Sequence, residues 1–382
     1  MVLPDYHGGS IVNLMASISR ACSATRTHYA PLAALPASEL QHARNIILIV
    51  IDGMGYNFVM QRGSRLREHV KVRITSMFPS TTATAITAFM TGVAPQQHGL
   101  VGWFTWFKEV GSVVAPLPFK ARHGGTSLNE QGVEPVAIFT TPSIFDSLRV
   151  PVTVISPKRI VDSPFNVRHC GGAARRAYDS SARFFREIEE AAKQSSQRKF
   201  IYAYYPELDT LAHVHGIASR SVADLFAKLD GLFGAFLGAM AQTESAIIVC
   251  ADHGFVDVER TIELDQHPEL AKMLMLPLCG ERRIAYCYVK HAVRARFEDY
   301  VRGHLSEFAE LHESDTLIER GWFGLGEPHP ALRERVGDYT LVMKGNYGIK
   351  DWVQGETRHQ HIGAHGGVTE DEMFVPLILA RP

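Results

Sequence analysis

The stretch Asn45–Ile51 reads NIILIVI, in which Asn45 is followed by six consecutive apolar residues that end directly at Asp52. A continuous β-branched run of this length is typical of a strand that is buried on both faces of a parallel sheet. Four further apolar runs follow it along the chain, at Pro151–Ile155, Phe200–Tyr205, Ala246–Cys250 and Met373–Ala380. Amphipathic helical patterns separate some of these runs, at Ser181–Gln194 and Val222–Met240. We therefore predict an α/β fold, with a mostly parallel central sheet flanked by helices on both faces.

The segment 256–350 departs from this alternation of strands and helices. Arg282–Val289 alternates between polar and apolar residues like an antiparallel strand, and Val293–Leu311 has helical spacing. We predict that residues 256–350 form an inserted lobe with antiparallel strands and a helix. Residues 1–255 and 351–382 are then expected to form the main α/β core.

The composition excludes several classes of protein. The chain has 382 residues and a formal net charge of -1, so it has no basic excess that would attract a nucleic-acid polymer. Its five cysteines are scattered without C-x-x-C spacing, which argues against a disulfide framework or a cysteine-based zinc site. The N-terminal residues lack the pattern of a secretory signal, and no apolar run is long enough to span a bilayer. We expect a cytoplasmic protein without a membrane partner.

Acidic and histidine residues follow the apolar runs. In a parallel sheet these positions lie at the carboxyl ends of the strands, where bound molecules and ions are usually found. Asp52 follows the first run, Asp209 and His213 follow Tyr205, and Asp252-His253 follow Cys250. His365 lies shortly before the last run. Each feature alone has a simpler explanation, such as a helix cap for Asp52 or a surface i,i+4 pair for Asp209 and His213. Together they predict a metal site at one edge of the sheet.

With these residues in place, the sequence resembles the type I phosphodiesterase and nucleotide pyrophosphatase branch of the alkaline phosphatase superfamily. The motifs that carry the resemblance occur in the family's order and span most of the chain. They are IVIDGMG (Ile49–Gly55), FPSTTATAITAFMTGVAPQQHGLVG (Phe78–Gly102), YYPELDTLAHVHG (Tyr204–Gly216), ADHGF (Ala251–Phe255) and GAHGG (Gly363–Gly367). The long second motif is the most specific of the five.

The resemblance implies two divalent cations, and it divides the predicted ligands between them. One cation would be held by Asp209, His213 and His365; the other would be held by Asp52, Asp252 and His253, with the nucleophile oxygen touching it. Imidazole and carboxylate ligands suit Zn²⁺, while iron, manganese and cobalt fit the same ligand types. His359 and His361 precede His365, and either is an alternative ligand if the family's motif aligns with this segment at a shifted position.

The resemblance also implies a hydroxyl nucleophile, and it identifies Thr82. In the family this residue stands three positions after a proline and nine before a Thr-Gly pair, and Pro79 and Thr91-Gly92 both give Thr82. Coordination to a dication would favour its alkoxide. Thr81 is the alternative nucleophile, and the alternative to any nucleophile is that this Ser/Thr run only caps a helix.

Two departures from the family's patterns limit the substrate class. Alkaline phosphatases have an arginine directly after the nucleophile, where this chain has Ala83, which argues against a strong phosphomonoesterase. Many nucleotide pyrophosphatases have an asparagine three residues after it, where this chain has Ala85. We predict a hydrolase of small-molecule phosphodiesters or pyrophosphates that acts through a phosphothreonine. A phosphonate (C–P) hydrolase, a phosphomonoesterase and a non-catalytic phosphate or metal sensor are the alternatives.

An aromatic cluster follows the nucleophile motif, at Trp103, Phe104, Trp106 and Phe107. These side chains either line a pocket for the substrate or belong to the core, and their spacing favours the core.

Overall fold

The computed structural model describes residues 1–25, 27–356, 358 and 361–382. His359, one of the alternative ligands, lies outside the described residues. Within the described residues the strands are β1 (Asn45–Ile51), β2 (Val70–Thr75), β3 (Thr105–Phe107), β4 (Ser112–Ala115), β5 (Lys120–Ala121), β6 (Val152–Pro157), β7 (Ala174–Tyr178), β8 (Lys199–Tyr205), β9 (Ser245–Cys250), β10 (Val256–Asp257), β11 (Arg260–Glu263), β12 (Cys279–Gly280), β13 (Ile284–Cys287), β14 (Ala309–Glu313), β15 (Tyr339–Met343), β16 (Tyr347–Lys350), β17 (Gly363–Ala364) and β18 (Phe374–Ala380).

The α-helices of the described residues connect these strands. They are α1 (Ile11–Ala21), α2 (Tyr56–Met60), α3 (Arg65–Glu68), α4 (Thr82–Thr91), α5 (Pro95–His98), α6 (Pro164–Cys170), α7 (Ser181–Lys193), α8 (Glu207–His215), α9 (Arg220–Ala239), α10 (Pro268–Met273), α11 (Arg294–His304), α12 (Ser314–Glu319), α13 (Leu332–Arg335) and α14 (Glu370–Met373).

A seven-stranded sheet forms the centre of the fold, in the order β2-β18-β9-β1-β8-β6-β7. The strands from β9 to β7 run parallel to one another, whereas β18 is antiparallel to both of its neighbours. Strand β1 lies in the middle and every one of its residues is buried, in agreement with its six consecutive apolar residues Ile46–Ile51. Helices α1, α4 and α6 pack together as one group, and α7, α8 and α9 pack as another. The predicted α/β class is therefore confirmed.

A smaller antiparallel sheet in the order β12-β13-β15-β14 lies within residues 279–343. It has its own apolar cluster, in which Phe297 and Val301 of α11 pack near Leu341 of β15. The predicted helix Val293–Leu311 is wrong in its second half, since α11 ends at His304 and β14 begins at Ala309. Pairing of β14 with β15 outweighs the local helical spacing there. The division of the chain at 256 and 350 stays a prediction.

None of the helices in the described part of the chain combines the length and the apolar character that a bilayer-spanning segment needs. All five cysteines are buried and free, in line with their scattered spacing.

Candidate metal centre

Three adjacent parallel strands bring the predicted ligands to one edge of the central sheet. Asp52 directly follows β1, Asp252 and His253 follow β9, and Asp209 lies in α8, just after β8. Because β9, β1 and β8 are neighbours, these side chains meet although they are far apart in the sequence. The tight turn after Asp52 depends on Gly53, which has a φ of 74° and whose missing Cβ would lie 2.7 Å from the ring of Phe255.

The first cluster consists of Asp52, Asp252 and His253, and Thr82 faces it from the first turn of α4. His253 Nε2 lies 3.2 Å from Asp52 Oδ1 and 3.5 Å from Asp252 Oδ2. The Thr82 hydroxyl oxygen lies 3.1 Å from His253 Nε2 and 3.5 Å from Asp52 Oδ2. The three acidic and histidine side chains are almost completely buried. They form one of the two groups of the described residues whose ligand atoms are close enough to hold a metal ion.

The second cluster surrounds Asp209 on α8. His213, one turn later, places Nε2 3.3 Å from Asp209 Oδ1, and His365 Nε2 lies 3.6 Å from the same oxygen. The Nε2 atoms of His213 and His365 are 3.2 Å apart. His253 stacks on His365 with ring centroids 3.8 Å apart, so the two clusters are contiguous. Asp209, His253 and His365 also form a group with metal-binding spacing.

Backbone carbonyls fix the tautomers of two of these imidazoles. His213 Nδ1 lies 3.0 Å from the Gly363 carbonyl oxygen, and His253 Nδ1 lies 3.0 Å from the carbonyl oxygen of Gly254. A carbonyl oxygen only accepts, so each Nδ1 must carry a hydrogen, and in the neutral ring Nε2 is the nitrogen whose lone pair can bind a cation. The phenol of Tyr204 donates to Asp52 Oδ2 and orients that carboxylate.

The unsatisfied atoms of the site fit a pair of cations. Asp52 Oδ1, Asp209 Oδ1 and Asp252 Oδ2 are buried and have no hydrogen-bond partner among the described residues. Each of them lies within 3.6 Å of an imidazole Nε2, so either a shared proton or a bound cation must lie between each carboxylate oxygen and its imidazole. Burial and the neighbouring carboxylates raise the pKa of Asp52 and of Asp252 well above the usual aspartate value. The donor set of carboxylates and imidazoles matches zinc-type cations.

Within the Ser/Thr run, Thr82 is the hydroxyl that faces the clusters. Ser80 donates to the Gly367 carbonyl at 2.7 Å, and Thr84 donates to the Pro79 carbonyl at 2.6 Å. Thr81, the alternative nucleophile, donates instead to the carboxylate of Glu281 at 2.5 Å. These three hydroxyls therefore bond to neighbouring protein groups, while the Thr82 hydroxyl faces Asp52 and His253.

A pocket of about 340 Å³ opens beside Thr82, His213 and His365. Trp103 and Phe104 line it, whereas Phe107 is fully buried in the main core, so the aromatic cluster is divided between pocket and core. The other lining residues include charged side chains that the motif analysis missed, because they lie outside every motif: Arg122, Glu281, Arg282, Lys350, Asp351 and Glu356. His361 also lines the pocket.

Comparisons with known proteins identify a matching family and similar folds. Residues 46–367 match the family described as type I phosphodiesterase / nucleotide pyrophosphatase. No curated protein matches the sequence significantly. Among solved structures, an inactive threonine-to-alanine variant of murine ectonucleotide pyrophosphatase/phosphodiesterase 5 in complex with AMP has a TM-score of 0.66 at 15% identity, covering 87% of each chain.

Two further solved structures have similar folds. Human ectonucleotide pyrophosphatase/phosphodiesterase 5 has a TM-score of 0.66 at 16% identity and covers 88% of each chain. Phosphonoacetate hydrolase from Sinorhizobium meliloti, in complex with phosphonoformate, has a TM-score of 0.64 at 16% identity and covers 89% of this chain and 91% of its own. At this level of identity the similarity shows a shared fold.

Proposed function

This chain belongs to the type I phosphodiesterase / nucleotide pyrophosphatase family, and from that premise we propose that it is a two-metal hydrolase of phosphodiester or pyrophosphate bonds. The observation that carries the proposal is the position of Thr82. Its hydroxyl lies within 3.5 Å of both Asp52 and His253, beside two contiguous clusters of carboxylates and imidazoles. A binding module has no need for a hydroxyl in this position.

In this proposal each cluster holds one divalent cation. Asp52, Asp252 and His253 hold the cation next to Thr82, and the other is held by the set Asp209, His213 and His365. When bound, such a pair supplies positive charge that favours the alkoxide of Thr82 and neutralises the leaving oxygen. Zn²⁺ is the proposed metal, with Mn²⁺ and iron as alternatives for the same ligands.

The proposed reaction has two successive displacements at phosphorus, the first by Thr82 and the second by water. Thr82 Oγ1 loses its proton to water and attacks phosphorus in line, which forms a phosphothreonine and breaks the bond to the leaving oxygen; that oxygen takes up a proton. In the second step a water molecule attacks the phosphothreonine, the bond between phosphorus and Oγ1 breaks, and Thr82 regains its proton. The position of Thr82 at the start of α4 adds backbone N–H groups that face the phosphoryl oxygens.

The side chains around Thr82 support small phosphodiesters as the substrate class. Ala83 and Ala85 are fully buried, so the first turn of α4 offers no side-chain cation or amide to a phosphate monoester. The relatives with this fold were solved with small ligands, AMP in one case and phosphonoformate in another. A phosphonate hydrolase is the second candidate, because phosphonoacetate hydrolase resembles this fold as closely as the phosphodiesterases do.

The direct test is hydrolysis of bis(p-nitrophenyl) phosphate by zinc-loaded, chelated and zinc-restored protein. We expect activity that chelation abolishes and zinc restores. A parallel panel of dinucleotides, nucleotide sugars, phosphomonoesters and phosphonates, assayed with zinc and with manganese, identifies the preferred bond. Unchanged hydrolysis after complete chelation would contradict the two-metal proposal. Release of phosphate from phosphonates alone would favour the second candidate.

A further inference from the structure

The pocket beside Thr82 has a wall of charged residues that the proposed reaction does not use. Arg122, Arg282 and Lys350 line it together with Asp351 and Glu356. These residues come from three separate parts of the chain, and Arg122 and Lys350 are both buried. Buried charges are costly unless they are paired, so the partners of each cation indicate what it does.

All three guanidinium nitrogens of Arg122 donate to acceptors of the protein. Its Nη1 donates to the Leu278 carbonyl at 2.7 Å, and its Nη2 donates to Asp351 Oδ1 at 2.7 Å and to Glu356 Oε2 at 3.2 Å. Its Nε donates to Glu356 as well, and its guanidinium lies 4.3 Å from the ring centre of Phe104. Arg122 therefore has a structural role in the wall, where an ion pair and hydrogen bonds hold its guanidinium.

Lys350 is equally buried, but its ammonium is poorly satisfied. Among the described residues its one hydrogen bond goes to Glu356 Oε1, at a long 3.4 Å. That carboxylate is also held by Arg122 and by the Val353 N–H. An ammonium has three donors, and the rings of Phe104 and Trp352 lie 5.5 and 4.6 Å from Nζ. Rings attract a cation, but they do not replace the missing acceptors.

The charges around Lys350 also indicate that its ammonium lacks hydrogen-bond acceptors. Burial and the neighbouring Arg122 lower the pKa of Lys350, and the attraction of Glu356 does not compensate for them. Arg282 lines the same wall and adds positive charge. An anionic ligand group that entered the pocket would give the ammonium the acceptor that it lacks.

We propose that Lys350, supported by the charge of Arg282, binds a second anionic group of the substrate, a carboxylate or a phosphoryl group, while the reacting phosphorus lies at Thr82. The inference rests on the proposed function. It narrows the substrates to small molecules with two anionic groups joined by a short linker, and it places simple dialkyl phosphates outside the preferred class.

Three ligands that share one ethylphosphonate skeleton test the proposal by calorimetry. Ethylphosphonate has no second anion, phosphonopropionate adds a carboxylate, and ethylenebisphosphonate adds a phosphoryl group. Binding is measured with zinc-loaded T82A protein, in which no substrate bond is broken, and the heat of each ligand with free zinc is subtracted. The same titrations are made after adding Lys350→Met. Lys344→Met is the matched control, since Lys344 is an exposed lysine whose Nζ donates to the Ser306 carbonyl.

We expect T82A to bind at least one dianionic ligand about tenfold or more tightly than ethylphosphonate, which corresponds to one charged contact. Lys350→Met should reduce that preference to about twofold or less, with ethylphosphonate affinity unchanged, and Lys344→Met should keep it. The ligand that is preferred, carboxylate or phosphoryl, identifies the group.

The other outcomes overturn one of the two claims. If T82A binds ethylphosphonate but shows no preference for a second anion, or if Lys350→Met weakens all three ligands equally, the inference about Lys350 is wrong. If none of the three ligands binds while zinc-dependent hydrolysis of bis(p-nitrophenyl) phosphate persists, the inference about Lys350 is wrong and the proposed function stands; if that hydrolysis is absent as well, the proposed function fails too.

Discussion

Arg283 and Glu372 form a fully buried ion pair that connects a hairpin of the smaller sheet to the loop carrying His365. The guanidinium Nε lies 3.0 Å from Glu372 Oε1, and Nη2 lies 3.0 Å from Oε2. Glu372 also accepts the Gly367 N–H at 2.8 Å, two residues after His365. The hairpin therefore supports the loop that carries one of the proposed metal ligands.

Replacing Arg283 by Met should destabilise the protein by about 3–5 kcal/mol, because Glu372 would be left buried without its counter-charge. Urea unfolding of the zinc-loaded protein measures the change. Arg296→Met is the control, since that guanidinium is mostly exposed beside Glu269 and its loss should have little effect. An Arg283→Met protein that unfolds at the same urea concentration as wild type would contradict the supporting role.

Thr82 and Thr81 are adjacent hydroxyls with different surroundings, and substitution separates their roles. Thr82→Ala should lower kcat for bis(p-nitrophenyl) phosphate by at least about a thousandfold, because it removes the proposed nucleophile. Thr81→Ala should have a much smaller effect, since its hydroxyl bonds to Glu281 instead.

The control for these two variants is Thr87→Ala, whose hydroxyl donates to the Ala83 carbonyl within α4. A sensor without turnover would show no hydrolysis in any variant and would keep its ligand affinity in Thr82→Ala. Loss of activity in Thr81→Ala with full activity in Thr82→Ala would assign the nucleophile to Thr81.

Zinc binding to the metal-free protein should release protons in an amount that depends on pH. Burial and neighbouring carboxylates raise the pKa of Asp52 and Asp252, so these carboxyls stay protonated at a pH where exposed aspartates are ionised. Zinc requires the ionised form, and its apparent affinity should therefore rise with pH until the raised pKa values are passed. Calorimetry in buffers of different ionisation enthalpy counts the protons released. Asp252→Asn should release fewer, and an affinity independent of pH would contradict the expectation.

The central sheet could be predicted from the sequence where burial is complete, and it could not be predicted at its edges. The bounds of β1 agree with the prediction because every residue of that strand is buried and all but Asn45 are apolar. Strand β7 reads ARRAY, and most of its residues are exposed or partly exposed, so no apolar run marks it. Its pairing with β6 at the sheet edge comes from tertiary structure rather than from local pattern.

The candidate metal site was predictable for a related reason. Each candidate ligand follows a recognisable strand or lies in a motif, and adjacent parallel strands must bring their carboxyl ends together. No comparable rule predicts from the sequence which residues form the charged wall of the pocket. Arg122, Glu281 and Lys350 are ordinary charged residues in segments without a motif, and only the packing of the smaller sheet against the nucleophile region brings them beside Thr82.

Glu281 lines the pocket and forms a hydrogen bond with Thr81, the residue directly before the proposed nucleophile Thr82. One of its carboxylate oxygens, Oε1, accepts the Thr81 hydroxyl at 2.5 Å and the Trp103 N–H at 2.7 Å. Removal from bulk water raises the pKa of Glu281 to about 7 in the metal-free protein. Bound cations would stabilise the carboxylate, so its pKa in the zinc enzyme should lie at or below that value.

The charge on Glu281 should therefore shape the pH dependence of the reaction. When pH rises through its pKa, the neutral carboxyl becomes an anion beside an anionic substrate, and kcat/KM should fall because like charges repel. Glu281→Gln keeps an oxygen acceptor for Thr81 and Trp103 and has no charge. Its kcat/KM should therefore stay high on the alkaline side, without the fall that ionisation of Glu281 causes in the wild type.

The exposed Glu334, paired with Lys108, supplies the control Glu334→Gln, which should keep the wild-type profile. An unchanged profile in Glu281→Gln would assign the fall to another group. Uniform loss of activity at every pH would show instead that the ionised carboxylate is needed to hold the start of α4.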